Sequence, residues 1–154
     1  MKALLNKKGD SYIYLCIIVL FISLLLSVLI LYMGLTAEVQ IQKREAQRKL
    51  DSYIASYSTK VFDALKQGES YEKYINWSEL ESGALPALGF ESQDDDYVYA
   101  NGNCTLTEPV VTILKGEGFG ITVYYIANYP VQWGGKTYTD LSIPITVTSY
   151  YKTK

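Results

Sequence analysis

The sequence predicts an α+β protein: one long N-terminal helix, transmembrane in its first part and amphipathic in its second, packed on a small antiparallel β-sheet. Three observations carry this. From Ser11 to Ala37 no side chain is charged, and a helix crosses a bilayer with roughly 20 apolar residues. From Glu38 to Gln67 there is no Gly or Pro, and apolar residues recur mostly every three or four positions. Beyond about residue 96, segments rich in Val, Ile, Thr and Tyr alternate with Gly- and Asn-containing turns.

The N-terminal segment reads as a retained anchor. A cleaved secretory signal has an apolar core of about 7 to 15 residues followed by small side chains. Here the run is longer, and Tyr32, Met33 and Leu35 occupy the place of such a cut. Tyr12, Tyr14 and Tyr32 fall near its ends, where amphipathic rings favour the headgroup zone. Lys7 and Lys8 abut the N-terminal end, whereas Lys43, Arg44, Arg48 and Lys49 begin some residues beyond the other. This asymmetry predicts a single-pass protein of the cell membrane with a cytoplasmic N-terminus and an extracytoplasmic C-terminal domain.

At 100° per residue, Cys16, Ser23, Ser27 and Gly34 fall on one line of the helix. Small side chains on one stripe let another membrane helix approach closely, so this is the predicted helix-packing face. Past the membrane, Val39, Ala46, Leu50, Tyr53, Tyr57, Val61, Ala64 and Leu65 form an amphipathic stripe, and Gly68 supplies a stop. A continuous helix from about Asp10 would span roughly 58 residues.

Residues 68–96 read as loop, with a short helix over Trp77–Ser82 broken by Gly83, Pro86 and Gly89. Strands are expected near Tyr97–Ala100, Cys104–Leu114, Gly120–Val131 and Thr137–Tyr150, a meander of three or four. In the last, Leu141, Ile143, Ile145 and Val147 share one face, with Ser142, Thr146 and Thr148 on the other. That apolar face needs a cover, and the expected helix–sheet interface joins it to Leu50, Tyr53, Tyr57, Val61 and Leu65. Pro144 lacks an amide donor, which predicts an edge strand or a bulge.

The expected layout is therefore a basic leader (1–9), a transmembrane helix (10–37), an amphipathic extension (38–67) and a β domain (68–154). The 154 residues leave no room for a second, catalytic domain. No histidine is present, which excludes His-based triads, bases and metal ligands. Residues 68–154 carry eleven acids against five lysines, which argues against nucleic acid as a partner. Gly134-Gly135-Lys136-Thr137 lacks the first Gly and following helix of a phosphate-binding loop. Asp94, Asp95 and Asp96 near Glu91 lack the alternation of a calcium loop and read as a solvated turn. Cys104 reads as a small buried hydrophobe in a strand, or as a thiol for an intermolecular bridge. No catalytic residue, cofactor or metal site is expected, and the protein is not expected to be an enzyme.

The short basic stretch Lys7-Lys8-Gly9 followed by Asp10-Ser-Tyr-Ile-Tyr-Leu-Cys16, the amphipathic extension and the C-terminal sheet resemble the type IV pilin-like superfamily. The single long helix and small Tyr-rich domain are most similar to TadE-like minor pseudopilins of tight-adherence (Flp-type) pilus systems. That resemblance implies cleavage between Gly9 and Asp10 by a prepilin peptidase. It also implies a role without catalysis in assembling a surface pilus or secretion apparatus, with membrane lipid and other pilus or secretion-system subunits as partners. The family commonly carries Glu at the fifth mature position, where this chain has Tyr14. Two other readings stand beside it: a bitopic scaffold whose residues 38–67 form a coiled coil with a partner, and a membrane-anchored extracytoplasmic ligand-binding module.

Overall fold

The computed structural model describes residues 7–66, 70–93, 96–101, 104–133 and 135–153. The chain divides into two compact units, Met1–Gln40 and Ile41–Lys154. A single α-helix, α1, is continuous over Lys7–Lys66. The absence of Gly and Pro after Gly34 leaves nothing to break it up to the expected stop at Gly68, which lies outside the described residues.

In the first unit, the side chains of 12–30 are all exposed. This part of α1 is long and apolar enough to cross a membrane. The hydroxyl of Thr36 donates to the Tyr32 carbonyl at 2.9 Å, a local bond that satisfies a polar group without water.

In the second unit, α1 buries Gln42, Ala46, Leu50, Ile54, Tyr57 and Val61, a run at steps of four, four, four, three and four. Each fully buried aliphatic side chain contributes about 1.5–3 kcal/mol. After a short 3-10 turn at Tyr71–Lys73, α2 covers Trp77–Leu88. It is longer than the expected Trp77–Ser82, running through both Gly83 and Pro86. Asn76 caps its start by accepting from the Glu79 amide. Gly89, at φ 97°, closes it: its amide donates to the Pro86 carbonyl and that of Phe90 to the Leu85 carbonyl, the paired bonds of a left-handed helix cap.

Gly83 is a packing glycine and not a break. A Cβ there would collide with the Tyr53 hydroxyl, which crosses from α1 and donates to the carbonyl of Glu79 or Leu80, each at 3.2 Å. Gly83→Ala is therefore expected to destabilise the fold by about 1–3 kcal/mol. The shift in thermal midpoint of the detergent-solubilised full chain, followed by circular dichroism, measures it.

Five antiparallel strands follow in sequential order: β1 (Glu91–Gln93), β2 (Asp96–Asn101), β3 (Cys104–Lys115), β4 (Gly118–Trp133) and β5 (Lys136–Lys152). The additional strand is β1, which pairs with β2 over three residues. The acidic turn between them, Asp94 and Asp95, lies outside the described residues. In β4, Phe119, Ile121, Val123, Tyr125, Ala127 and Tyr129 are all at most 2% exposed and form the sheet's contribution to the core. From the other side of the core come Leu80, Ala84, Leu85 and Leu88 of α2. The opposite sheet face is mixed, with Tyr124 and Val110 paired and exposed on it beside hydroxyl and amide side chains. Ser142 donates to Asn128, whose amide donates to Thr107, and the hydroxyls of Thr122 and Thr148 lie 3.0 Å apart.

β3 is bulged between Thr107 and Val110, where Glu108 adopts φ 52°. A side chain in this left-handed region carries strain that glycine does not. Glu108→Gly is expected to leave stability unchanged or raise it by up to about 1 kcal/mol, read as a higher urea midpoint of the full chain.

Candidate functional site

The surfaces through which this chain could act are the two faces of α1 and the ends of the sheet. Gly9 and Asp10 both lie within helical backbone, since α1 begins at Lys7. Cys16, Ser23, Ser27 and Gly34 are exposed on the membrane-competent part of α1. Ser23 and Ser27 form the floor of a shallow groove walled by Val19, Ile22, Leu26 and Ile30. A Cβ at Gly34 would meet nothing within 4 Å. The middle of the stripe is thus indented, because aliphatic side chains flank the two serines there.

On the other half of α1, Leu50, Tyr57 and Val61 are buried, as are Ile145 and Val147 of β5. Ile143 is half-buried. Tyr53 is half-buried and turned toward α2, with its ring edge-on to Tyr57 at 5.4 Å. Ile54 takes the core position that Tyr53 was expected to fill. Leu141 is 40% exposed and stands outside the core. The side chain of Leu65 lies outside the described residues.

A polar cluster marks the start of the second unit. Gln42, Glu45 and Lys49 of α1 line a small cavity with Leu88, Phe90, Leu106 and Tyr125. Lys49 pairs with Glu45 at 3.1 Å and donates to the Leu88 carbonyl at 3.5 Å, placing a cation at the C-terminal end of α2 where the helix dipole favours it. The cavity holds about 10 Å³, room for roughly one water, whereas small-molecule sites run to hundreds of Å³.

No protein-family model, curated protein or solved structure matches this chain. The functional reading therefore rests on the residues themselves.

The far end of the unit is fastened. Tyr71 donates its hydroxyl to the carbonyl of Gly116 or Gly118, at 2.8 and 3.2 Å, and Lys115 lies over the Trp77 ring. Thr153 donates its amide and hydroxyl to the Glu117 carbonyl. At the sheet's edge, the Gln47 side-chain amide donates to the Thr148 carbonyl at 2.8 Å and also bonds Asp51.

Burial pushes the Tyr125 hydroxyl well above its ordinary pKa, reinforced by nearby Tyr129, Cys104 and Glu45. Tyr53 is raised too, first by desolvation and then by Tyr57 and Glu79. The folded chain thus keeps both protonated to higher pH than the unfolded chain does. Stability from this source is complete below about pH 10 and is lost as pH rises through the folded-state values. Urea midpoints should fall on going from pH 8 to about pH 11, and the fall should be shallower in Tyr125→Phe.

Proposed function

We propose that this chain is a membrane-anchored structural subunit of the type IV pilin-like kind, nearest in layout to a TadE-like minor pseudopilin, serving assembly of a surface pilus or related secretion apparatus. The observation that carries this reading is the helix Lys7–Lys66. It starts in a basic leader, continues through an uncharged apolar segment and ends by supplying Leu50, Ile54, Tyr57 and Val61 to the core of a small antiparallel-sheet unit. In this function the apolar part stores the subunit in the bilayer, with its N-terminus in the cytoplasm. The serine-floored groove then offers close approach to a sister helix, and the sheet unit faces the extracytoplasmic space. No step of it calls for a catalytic group.

The alternative scaffold reading needs the stripe after residue 38 for a coiled-coil partner. Burial of that stripe within Ile41–Lys154 favours the pilin-like reading over it. The ligand-binding reading gains nothing from a cavity of about 10 Å³. N-terminal sequencing of the native protein tests the proposal. Asp10 as first residue is the expected result, and a chain retaining Met1 through Gly9 would count against peptidase processing.

A further inference from the structure

The sheet face turned away from the core carries no charged side chain over five successive cross-strand rows. They run from Thr105, Asn128 and Ser142 at one end to Leu114, Gly120 and Tyr150 at the other, across β3, β4 and β5. Lys, Arg, Asp and Glu make up 19% of the chain, yet charge returns only beyond these rows, at Asp140 opposite Pro130 and at Lys152 opposite Gly118. Glu108, in the β3 bulge, pairs with none of them. Eight residue steps along β4 make the strip about 26 Å long, and two strand spacings make it about 10 Å wide. A stable protein–protein contact buries about 800 Å² on each partner, roughly twice what such a strip offers. Its proportions suit a linear chain laid along the strands better than a globular partner or a second copy.

The strip presents hydroxyl, amide and aromatic surface. Thr112, Thr122 and Thr148 form one row, the last two with hydroxyls 3.0 Å apart. In the next row Tyr124 is exposed between Val110 and Thr146. Tyr150 is exposed as well. Its ring leans over Gly120, filling the space where a side chain would begin, with its hydroxyl toward Gly116. A ring laid down on the sheet in this way turns one broad face outward. Four residues from Tyr124 along β4, Asn128 is held on both sides: Ser142 donates to its Oδ1 at 2.6 Å, and its Nδ2 donates to Thr107 at 3.1 Å. An amide has two donor hydrogens and two acceptor lone pairs, so one of each stays uncommitted among the described bonds. That group is already aimed, with little rotamer freedom left to lose on binding.

A neutral polysaccharide carries the complementary set. Its hydroxyls donate and accept at once, its C–H faces lie against the electron-rich face of an aromatic ring, and it brings no charge. Nucleic acid or an acidic glycan calls for cations, which the rows lack. An extended peptide is captured through a strand edge, and on β5 that edge is obstructed by Pro144 and by Gln47 on the Thr148 carbonyl.

We infer that the outer face of β3, β4 and β5 is a binding strip for a straight-chained, uncharged polysaccharide of the β-linked glucan kind, with Tyr124 and Tyr150 as stacking surfaces and Asn128 as the polar anchor. Such a strip would serve adhesion whether or not the chain is built into a pilus.

For the test, full-length protein is held in a detergent without a sugar headgroup and titrated calorimetrically with cellohexaose, and with hexagalacturonate as an acidic counterpart. Binding of cellohexaose alone is expected. Tyr124→Ala should weaken it roughly three- to tenfold. Thr146→Lys, which puts a cation opposite Tyr124 at an exposed position, should abolish it. Phe62→Ala, exposed on α1, should leave it unchanged, and circular dichroism checks that each variant is folded. Failure of the unsubstituted chain to bind cellohexaose overturns the inference, as does equal binding of hexagalacturonate or undiminished binding by both folded sheet variants. In a Cys16→Ser background, Thr146→Cys reports the competing occupant. Protection of its thiol from maleimide by cellohexaose supports the glycan, whereas disulfide formation between copies assigns the face to a second copy and overturns it.

Discussion

Leu50→Asp is expected to abolish the fold of Ile41–Lys154. Leu50 is fully buried on α1 between Ala46 and Ile54. An uncompensated charge at such a site costs several kcal/mol, comparable with the whole stability of a small domain. Leu50→Ala grades the effect. Truncation in a packed core costs about 2–5 kcal/mol, so a folded but markedly weakened chain is expected. Both are read from the sheet signal in circular dichroism of detergent-solubilised protein. A native-like transition in Leu50→Asp would mean that the sheet does not depend on α1, and the pilin-like reading would lose its main support.

The second large effect is expected at Gly120. A Cβ there would lie 2.9 Å from Tyr150 Cα and 2.7 Å from its ring, and would press on the Ser149 carbonyl. Side-chain rotation relieves only the ring contact, because the other atoms are backbone of β5. Gly118 faces a similar obstruction from Tyr151 and Lys152. Gly120→Ala is therefore expected to cost about 1–3 kcal/mol or more and to disturb the register Gly120 shares with Tyr150. Loss of cooperativity in the urea transition, or new protease cleavage near residue 150, would report it. An unchanged midpoint would show that β5 can shift outward at this edge at little cost.

Much of the fold was legible because its signals are local and repeated. The helical period through Leu50, Tyr57 and Val61 and the alternation through Ile145 and Val147 both mark buried faces. What escaped depends on partners distant in sequence. β4 carries apolar or aromatic side chains on both faces, Tyr124 and Ile126 as well as Val123 and Tyr125, so its period hides which row is the core. Gly83 and Pro86 read as breaks, but α2 tolerates both. Gly83 leaves space for the Tyr53 hydroxyl, and Pro86 sits near the helix end, where Gly89 closes the last turn. Leu141 continues the alternation of β5 and so looked buried, yet it pairs with Tyr129, one residue past the last β4 position that β3 accompanies. The small-residue stripe was visible on a helical wheel. That its two serines lie in a groove depends on the flanking Val19, Ile22, Leu26 and Ile30.

The sheet's two margins carry a consequence for behaviour at high surface density. One border strand is three residues long. The other has an imino residue at Pro144, an irregularity beside Val131 and Gln132, and a glutamine from α1 occupying the carbonyl of Thr148. Such borders offer a poor template for strand-by-strand stacking. Crowded copies would thus stay separate at their sheets, and under the pilin-like proposal any ordered array would take its spacing from contacts between the apolar helices.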